Sequence, residues 1–183
     1  GAKNPHLGGA MATLEGVGSE GVAVAQRQVP ATPDIRPILE YGVKANLNRF
    51  LAAAQGPPVA SLAAIIAHNR ADPDARIPYG QDLLLAAQHT TITAAQYAAL
   101  SGRNRETATR GLNALFDEAG IDVLITTTFA YAAAGFPALT VPSGVAPTGE
   151  PQGLVLIGRY LGELDLLAVG YAYEQATRAR VPP

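Results

Sequence analysis

The 183-residue sequence contains no cysteine, no tryptophan and a single methionine. Without cysteine there is neither a disulfide framework nor thiolate chemistry, which is compatible with a cytoplasmic protein. Charged residues make up only 15% of the chain, and the formal net charge of -2 lacks the basic excess typical of nucleic-acid-binding proteins. No apolar run reaches the roughly 18 residues of a membrane-spanning helix. We therefore expect no nucleic-acid partner and no membrane segment.

Potential metal ligands are also sparse. The three histidines, His6, His68 and His89, are scattered along the chain without a close ligand at metal spacing. The favoured interpretation of His68 and His89 is a helix-surface or partly buried histidine. A metal or base role for either is the less favoured interpretation. Asp72 and Asp74 are spaced as in a calcium loop, but the further ligands of such a loop are missing. We expect no metal, and the sequence predicts a plain loop at these two residues.

Apolar residues are abundant and make up 48% of the chain. This is enough for a sizeable core, and the length predicts one domain over residues 1–183. The low share of charge indicates that something else covers part of the apolar surface. Periodicity and cap residues predict helices over 8–15, 34–54, 61–69, 81–89, 93–119 and 163–177, and strands over 22–25, 121–125 and 154–157. In the last helix, one apolar stripe consists of Leu164, Leu167, Ala168 and Tyr171.

Two strand signals define the fold class. Ile121–Ile125 is an apolar run with one polar interruption, which is typical of a strand buried on both faces. Pro147–Pro151 has strong turn chemistry between two apolar runs and indicates an antiparallel hairpin. We therefore predict an α/β protein with a mixed β-sheet covered by α-helices.

A glycine pattern near the start, Gly16-x-Gly18-x-x-Gly21, matches the dinucleotide-binding fingerprint in its letters. That fingerprint follows a strand and opens a helix, so that pyrophosphate meets the N-terminus of the helix. Here the predicted order is reversed, with a helix before and a strand after. The pattern therefore favours a turn between helix and strand. A dinucleotide-dependent oxidoreductase is the lowest-ranked alternative, and we expect no cofactor.

The serines offer no clear nucleophile. A nucleophilic serine needs an adjacent base to take its proton. None of the four serines stands in a Gly-x-Ser-x-Gly turn. Ser143, at the end of a predicted strand, is the best placed, and a turn serine is still the favoured interpretation.

Three C-terminal motifs together resemble the end of the amidase signature family. They are Gly135–Gly144, Pro151–Gly158 and Tyr173–Thr177, followed by Pro182-Pro183. Further upstream, three segments are similar to the peptide-amidase-like branch of this family, namely Tyr41–Asn48, Leu62–Asn69 and Tyr79–Asp82. The resemblance covers most of residues 10–183.

The resemblance implies a chemistry that this chain does not carry. Family members hydrolyse amide C–N bonds with a serine nucleophile, a second serine on a cis peptide bond and a lysine base. Here the only lysines are Lys3 and Lys44, and no Gly-Gly-Ser-Ser-Gly run exists. No catalytic residue can therefore be assigned. The resemblance implies that the chain is the C-terminal part of an amidase and that the catalytic N-terminal part lies outside the chain. It also implies that the chain alone has no amidase activity.

The resemblance also implies a pocket wall. Thr126, Thr128 and Phe136 are the expected substrate-binding residues, near the acyl group of a small-molecule amide. The segment between Thr128 and Gly135 is shorter than is usual in the family. The alternative is a non-catalytic binding or scaffolding module derived from the same fold. If partners of the sheet lie in the absent N-terminal part, the open strand edges predict a homo-oligomer or limited solubility of the isolated chain.

Overall fold

The structure, a computed structural model, describes residues 5–24, 31, 33–126 and 130–182. Within these residues the chain folds into two units, of which the helical unit comprises Asp34–Arg103 and the sheet unit comprises Gly1–Pro33 with Asn104–Pro183. The single domain over residues 1–183 stays a prediction. In chain order the elements are α1 (Pro5–Gly16), α2 (Arg36–Ala53), α3 (Leu62–Arg70), α4 (Pro73–Arg76), α5 (Asp82–His89), α6 (Ala94–Ala119), β1 (Val123–Ile125), α7 (Ala130–Ala134), β2 (Ala138–Val145), β3 (Pro151–Gly158) and α8 (Glu163–Thr177).

Local capping explains where the first helices of the helical unit begin. The Asp34 carboxylate accepts a hydrogen bond of 3.2 Å from the Arg36 N–H at the start of α2. Ser61 Oγ accepts one of 3.1 Å from the Ala64 N–H at the start of α3. Both side chains satisfy a backbone donor that a helix leaves without an internal partner. The two predicted helix starts are thereby confirmed.

The predicted loop is confirmed at Asp72 but wrong at Asp74, because the one-turn helix α4 begins at Pro73. Proline suits a first helical position, since its missing N–H has no partner there and its φ angle is already helical. The Arg76 N–H donates to the Asp72 carbonyl at 3.1 Å and closes the turn.

The core of the helical unit is small. Leu62, Ile66 and Ala87 form its buried cluster, and three half-buried leucines pack against it. The helix α2 contains no buried residue, although its sequence carries an apolar stripe. Leu39 and Phe50 on this helix are 55% and 68% exposed. The helical unit therefore leaves much of its apolar surface without a described partner.

The sheet unit is built on three antiparallel strands in the order β1-β3-β2. The predicted hairpin is confirmed, since β2 pairs with β3 and the Ala146 N–H donates to the Glu150 carbonyl at 2.8 Å across the turn. On the other side of β3, Leu124 of β1 lies opposite Ile157. The predicted α/β class is confirmed, and all three described strands pair antiparallel.

The central strand β3 contributes side chains to two buried clusters, because successive strand residues point to opposite faces. Ile157 belongs to one cluster with residues of α6 and α7, and Leu154 and Leu156 belong to the other with residues of α1 and α8. The helices therefore cover both faces of the sheet.

The helix α8 spans the predicted residues but does not bury the apolar stripe seen in its sequence. Leu166, Gly170 and Tyr173 are buried, whereas Leu164 and Leu167 of the stripe are 82% and 57% exposed. Glycine decides which face packs, since a Cβ on Gly170 would collide with the Leu139 side chain of β2. The helix is apolar on two sides, and periodicity alone did not distinguish them.

The predicted strand over 22–25 is not formed in the described residues. Val22, Ala23 and Val24 belong to no strand, and Ala25 lies outside the described residues. A strand needs a neighbour for its backbone groups, and none of the three described strands lies beside this segment in the sheet order.

Candidate functional site

One candidate site is a cavity of about 800 Å³ inside the sheet unit, beside β1. Its walls come from α1, from residues 19–24, from the end of α6 through residue 126, and from Val169 of α8. Such a volume lies within the range of about 300–1,000 Å³ that is typical of ligand pockets.

The residues before β1 position the part of the cavity wall that β1 forms. Gly120 follows α6 with a φ of +62°, a left-handed conformation that glycine adopts without a Cβ penalty. The Ile121 N–H then donates to the Phe116 carbonyl at 3.1 Å and turns the chain away from the helix. The predicted helix end at Gly120 is therefore confirmed, and it brings β1 to the cavity.

The cavity has an acidic rim. Glu15, Glu20 and Asp122 are among its lining residues, and all three are exposed. No lysine, arginine or histidine is among the described residues that line it. The sequence analysis missed this grouping, because the three carboxylates come from separate parts of the chain.

Of the two predicted substrate-binding residues that the structure describes, Thr126 lines this cavity and Phe136 does not. Thr126 is buried, and its N–H donates to the Val155 carbonyl at 3.4 Å. Phe136 is buried in the core cluster on the α6 side of the sheet, with its ring centroid 6.3 Å from that of Phe116. Thr128 lies outside the described residues. The role of all three in substrate binding stays a prediction.

The position of Phe136 follows from the end of α7. The N–H groups of Gly135 and Phe136 both donate to the Tyr131 carbonyl, at 2.9 and 3.0 Å. Gly135 has a φ of +75°, which turns the chain and directs the Phe136 side chain into the core. The second ring near Phe136 is that of Tyr160, with a centroid distance of 6.3 Å.

The possible nucleophiles and bases do not meet in the described residues. Lys44 Nζ donates to the Gln88 carbonyl at 2.8 Å, within the helical unit. Ser61 caps α3, and Ser101 Oγ is buried in α6 without a hydrogen-bond partner in the described chain. Ser143 is the extra residue of a β-bulge, since Pro142 and Gly144 pair with consecutive residues of β3. No described serine is hydrogen-bonded to the one lysine that the structure describes.

Other charged and titratable groups support the fold of the sheet unit. Arg159 pairs with Asp117 at 2.7 Å, and its guanidinium carbon lies 5.1 Å from the centroid of the Phe116 ring. Burial raises the pKa of the Tyr173 hydroxyl, because the charged form loses its hydration there. Sequence reasoning missed Arg159, although it directly follows the third strand.

Residues 5–24, 31, 33–126 and 130–182 contain neither a candidate metal site nor a membrane-spanning helix. Within these ranges no three histidine, aspartate or glutamate side chains are grouped so that they could hold a metal ion. Every helix in the same ranges is too short or too polar to cross a lipid bilayer.

The structure defines an α/β unit with helices on both faces of its antiparallel sheet. No protein-family model matches the chain. A probable amidase of Arabidopsis thaliana is 30% identical over 146 residues, which are 76% of this chain and 28% of the relative.

Two solved structures agree over nearly the whole chain. An amidase family protein from Bacillus anthracis str. Ames matches with a TM-score of 0.80 and 33% identity, over 98% of this chain and 36% of that protein. The native peptide amidase from Stenotrophomonas maltophilia matches with a TM-score of 0.78 and 32% identity, over 98% of this chain and 40% of that enzyme.

The chain belongs to the amidase signature family and corresponds to the C-terminal part of its members. It spans 28% of the length of the curated relative from Arabidopsis thaliana. The predicted family is thereby confirmed.

Proposed function

We propose that this chain is the C-terminal portion of a serine-dependent amidase that hydrolyses carboxamide C–N bonds. The match of 98% of the chain to 36% of the Bacillus anthracis amidase family protein is the observation that carries this proposal. A small-molecule amide is the proposed substrate of the complete enzyme.

In the proposed reaction a serine hydroxyl, supplied from outside residues 1–183, attacks the amide carbonyl. The C–N bond breaks, and the serine proton passes through a base to the leaving nitrogen, which departs as ammonia or an amine. Water then hydrolyses the acyl-enzyme ester and regenerates the serine. Each half of this reaction needs a positioned base within hydrogen-bond reach.

The contribution of this chain is structural, and the chain has no amidase activity by itself. Lys44 is held by the Gln88 carbonyl rather than by a serine, which supports this proposal. The sheet unit supports the reaction centre, and Thr126, Thr128 and Phe136 remain the proposed contacts to the acyl group of the substrate.

A chimera tests the proposal. The matched C-terminal 40% of the Stenotrophomonas maltophilia peptide amidase is replaced by this chain, and the release of ammonia from an amidated dipeptide is measured. We expect release by the chimera and none by the purified 183-residue chain. The matched control is the chimera in which Arg70 is replaced by alanine, since Arg70 is exposed and far from any proposed substrate contact in the sequence; this control should release ammonia as well.

Two outcomes contradict the proposal. Turnover by the 183-residue chain alone contradicts the absence of catalytic residues. A chimera that folds, as judged by circular dichroism, but releases no ammonia contradicts the supporting role and favours the non-catalytic binding module. The cytoplasmic location and the homo-oligomer stay predictions.

A further inference from the structure

The helix α8 carries an apolar stripe on the side that faces away from the sheet. On its inner side, Leu166 and Tyr173 are buried in the cluster that includes side chains of β2 and β3. Because an α-helix has about 3.6 residues per turn, a second set of apolar residues lies on the opposite side. This outer stripe is exposed and consists of Leu164, Leu167, Ala168 and Tyr171.

The turn before α8 extends the exposed apolar surface. Tyr160 and Leu161 in this turn, and the three large residues of the outer stripe, are between 57% and 82% exposed. If a large side chain presents about 200 Å² in full, the five residues expose roughly 650 Å². Monomeric proteins rarely expose contiguous apolar patches larger than a few hundred Å², so this surface is a candidate interface.

The same turn holds one apolar side chain outward in a strained conformation. Leu161 has a φ of +61°, in the left-handed region that side chains with a Cβ rarely adopt. The Gly162 N–H donates to the Arg159 carbonyl at 2.8 Å and closes the turn. The described chain does not bury Leu161 in return. Such strain is typical of sites that contact a ligand or partner, and it indicates that a partner contacts this turn.

Charges at the two ends of α8 make this surface complementary to itself. Glu163 and Asp165 are exposed in the first turn of the helix, and Arg178 and Arg180 are exposed at and beyond its C-terminal cap. Glu174 is also near that end, which still carries two positive charges against one negative. When two copies of α8 lie antiparallel, the acidic start of one faces the basic end of the other, and the pairing occurs twice.

We propose that α8 forms the interface of a twofold-symmetric homodimer, in which the outer stripes of two copies pack antiparallel. The second copy of the chain covers Leu164 and Tyr171, and its α8 also contacts the strained turn at Leu161. This interface differs from the strand-edge pairing that the sequence predicts. It does not depend on the proposed amidase function.

The layers of the sheet unit favour a second copy over a further segment of the same fold. Domains are built from two or three packed layers, and α1 and α8 already form the helix layer on this face of the sheet. A further element of that layer lies beside α8 and not over it. A twofold interface uses the same surface on both copies, which the self-complementary charges of α8 satisfy.

The dimensions of the stripe fit this packing. Ala168 lies near its centre, between Leu164 and Tyr171, and its small side chain allows two helix axes to approach to about 8–10 Å. With the twofold axis near Ala168, Leu164 of one copy meets Tyr171 of the other. The exposed area of roughly 650 Å² approaches the about 800 Å² per partner of a standard interface, and the charged ends of α8 supply the rest.

Light scattering over a concentration series of the 183-residue chain tests the proposal. We expect a mass of twice the 18.9 kDa of one copy. Leu164→Asp should raise the Kd of the dimer at least about a hundredfold, because the interface contains the position twice and each buried leucine contributes about tenfold or more. The matched control is Leu83→Asp on α5, which is 71% exposed and should leave the Kd unchanged.

A cysteine cross-link tests the packing directly, because the chain has no cysteine of its own. Ala168→Cys places a thiol near the twofold axis, where the same residue of both copies meets. Mild oxidation should link two copies of this variant at least about tenfold faster than two copies of the control Leu83→Cys, since a disulfide needs close Cα atoms. This measurement also decides the question if Leu164→Asp fails to fold.

Three outcomes overturn the proposal. One is a monomer at every concentration up to the solubility limit. Another is a dimer or larger assembly that Leu164→Asp leaves intact, which identifies the strand edges as the interface. The third is equal cross-linking of Ala168→Cys and Leu83→Cys. Neither measurement involves catalysis, so an inactive chimera leaves the α8 interface untouched.

Discussion

The sheet unit and the helical unit differ in how far their apolar side chains are covered. In the sheet unit Phe116, Leu156 and Ile157 are fully buried, and helices lie on both faces of the sheet. In the helical unit the 18 residues of α2 include no buried one. Along α2, an apolar groove of about 630 Å³ runs from Ile38 to Phe50 and includes Tyr97 of α6.

This difference shows which of the two units covers its own apolar side chains more completely. The buried clusters of the sheet unit are supplied by its own elements, and one of its two edge strands, β1, lies beside the cavity. The helical unit has one small buried cluster around Leu62, and its helix α2 contains no buried residue. We therefore expect the sheet unit to carry most of the stability of the isolated chain, since locally unstable regions are those with few buried apolar contacts.

Two phenylalanines provide the sharpest test of this comparison. Phe116 of the sheet unit is fully buried, whereas Phe50 of the helical unit is 68% exposed. Phe116→Ala should lower the free energy of unfolding by about 3–5 kcal/mol, because it removes buried surface and leaves a cavity. Phe50→Ala should change it by less than about 0.5 kcal/mol. Urea titration followed by circular dichroism measures both, and equal losses would break the comparison.

Alanine substitutions at two helix glycines should change the free energy of unfolding in opposite directions. Gly170→Ala should cost about 1–3 kcal/mol, because the added methyl group collides with Leu139 and separates α8 from β2. Gly42→Ala in α2 should stabilise by about 0.5–1 kcal/mol, since the nearest atom to the new Cβ, Asn46 Nδ2, is 3.8 Å away. Melting temperatures of the two variants measure the signs, and a loss of stability in Gly42→Ala would show that α2 is more tightly covered than its exposure indicates.

Two ion pairs should show the smallest effects. Asp117→Asn breaks the 2.7 Å pair with Arg159, which joins distant parts of the sheet unit, and should cost about 0.2–1 kcal/mol. Glu40→Gln breaks the local 2.8 Å pair with Arg36 on α2 and should cost about 0.3–0.5 kcal/mol. Both losses should shrink in 1 M salt, because solvent ions screen exposed charges. A loss that persists in high salt for either variant would point to packing instead of charge.

Local sequence chemistry predicted the elements of the fold well where a short-range interaction defines them. Ser61 caps α3, Gly120 ends α6, and the residues from Pro147 to Pro151 form the hairpin turn. The predicted loop was wrong at Asp74 because Pro73 fits a helix start as readily as a turn. The candidate site was less predictable, since the three carboxylates at the cavity rim come together only when α1, residues 19–24 and β1 are assembled.

The sequence by itself determined the family and the positions of most helices and strands. These follow from motifs and from contacts between residues close in the chain. Only the tertiary structure decided that α8 packs through Gly170 and Tyr173 rather than through Leu164 and Leu167, because both sides of that helix are apolar and close approach to β2 selects one. It also decided that β1 ends the described sheet beside an open cavity, because strand order depends on pairings between residues distant in the sequence.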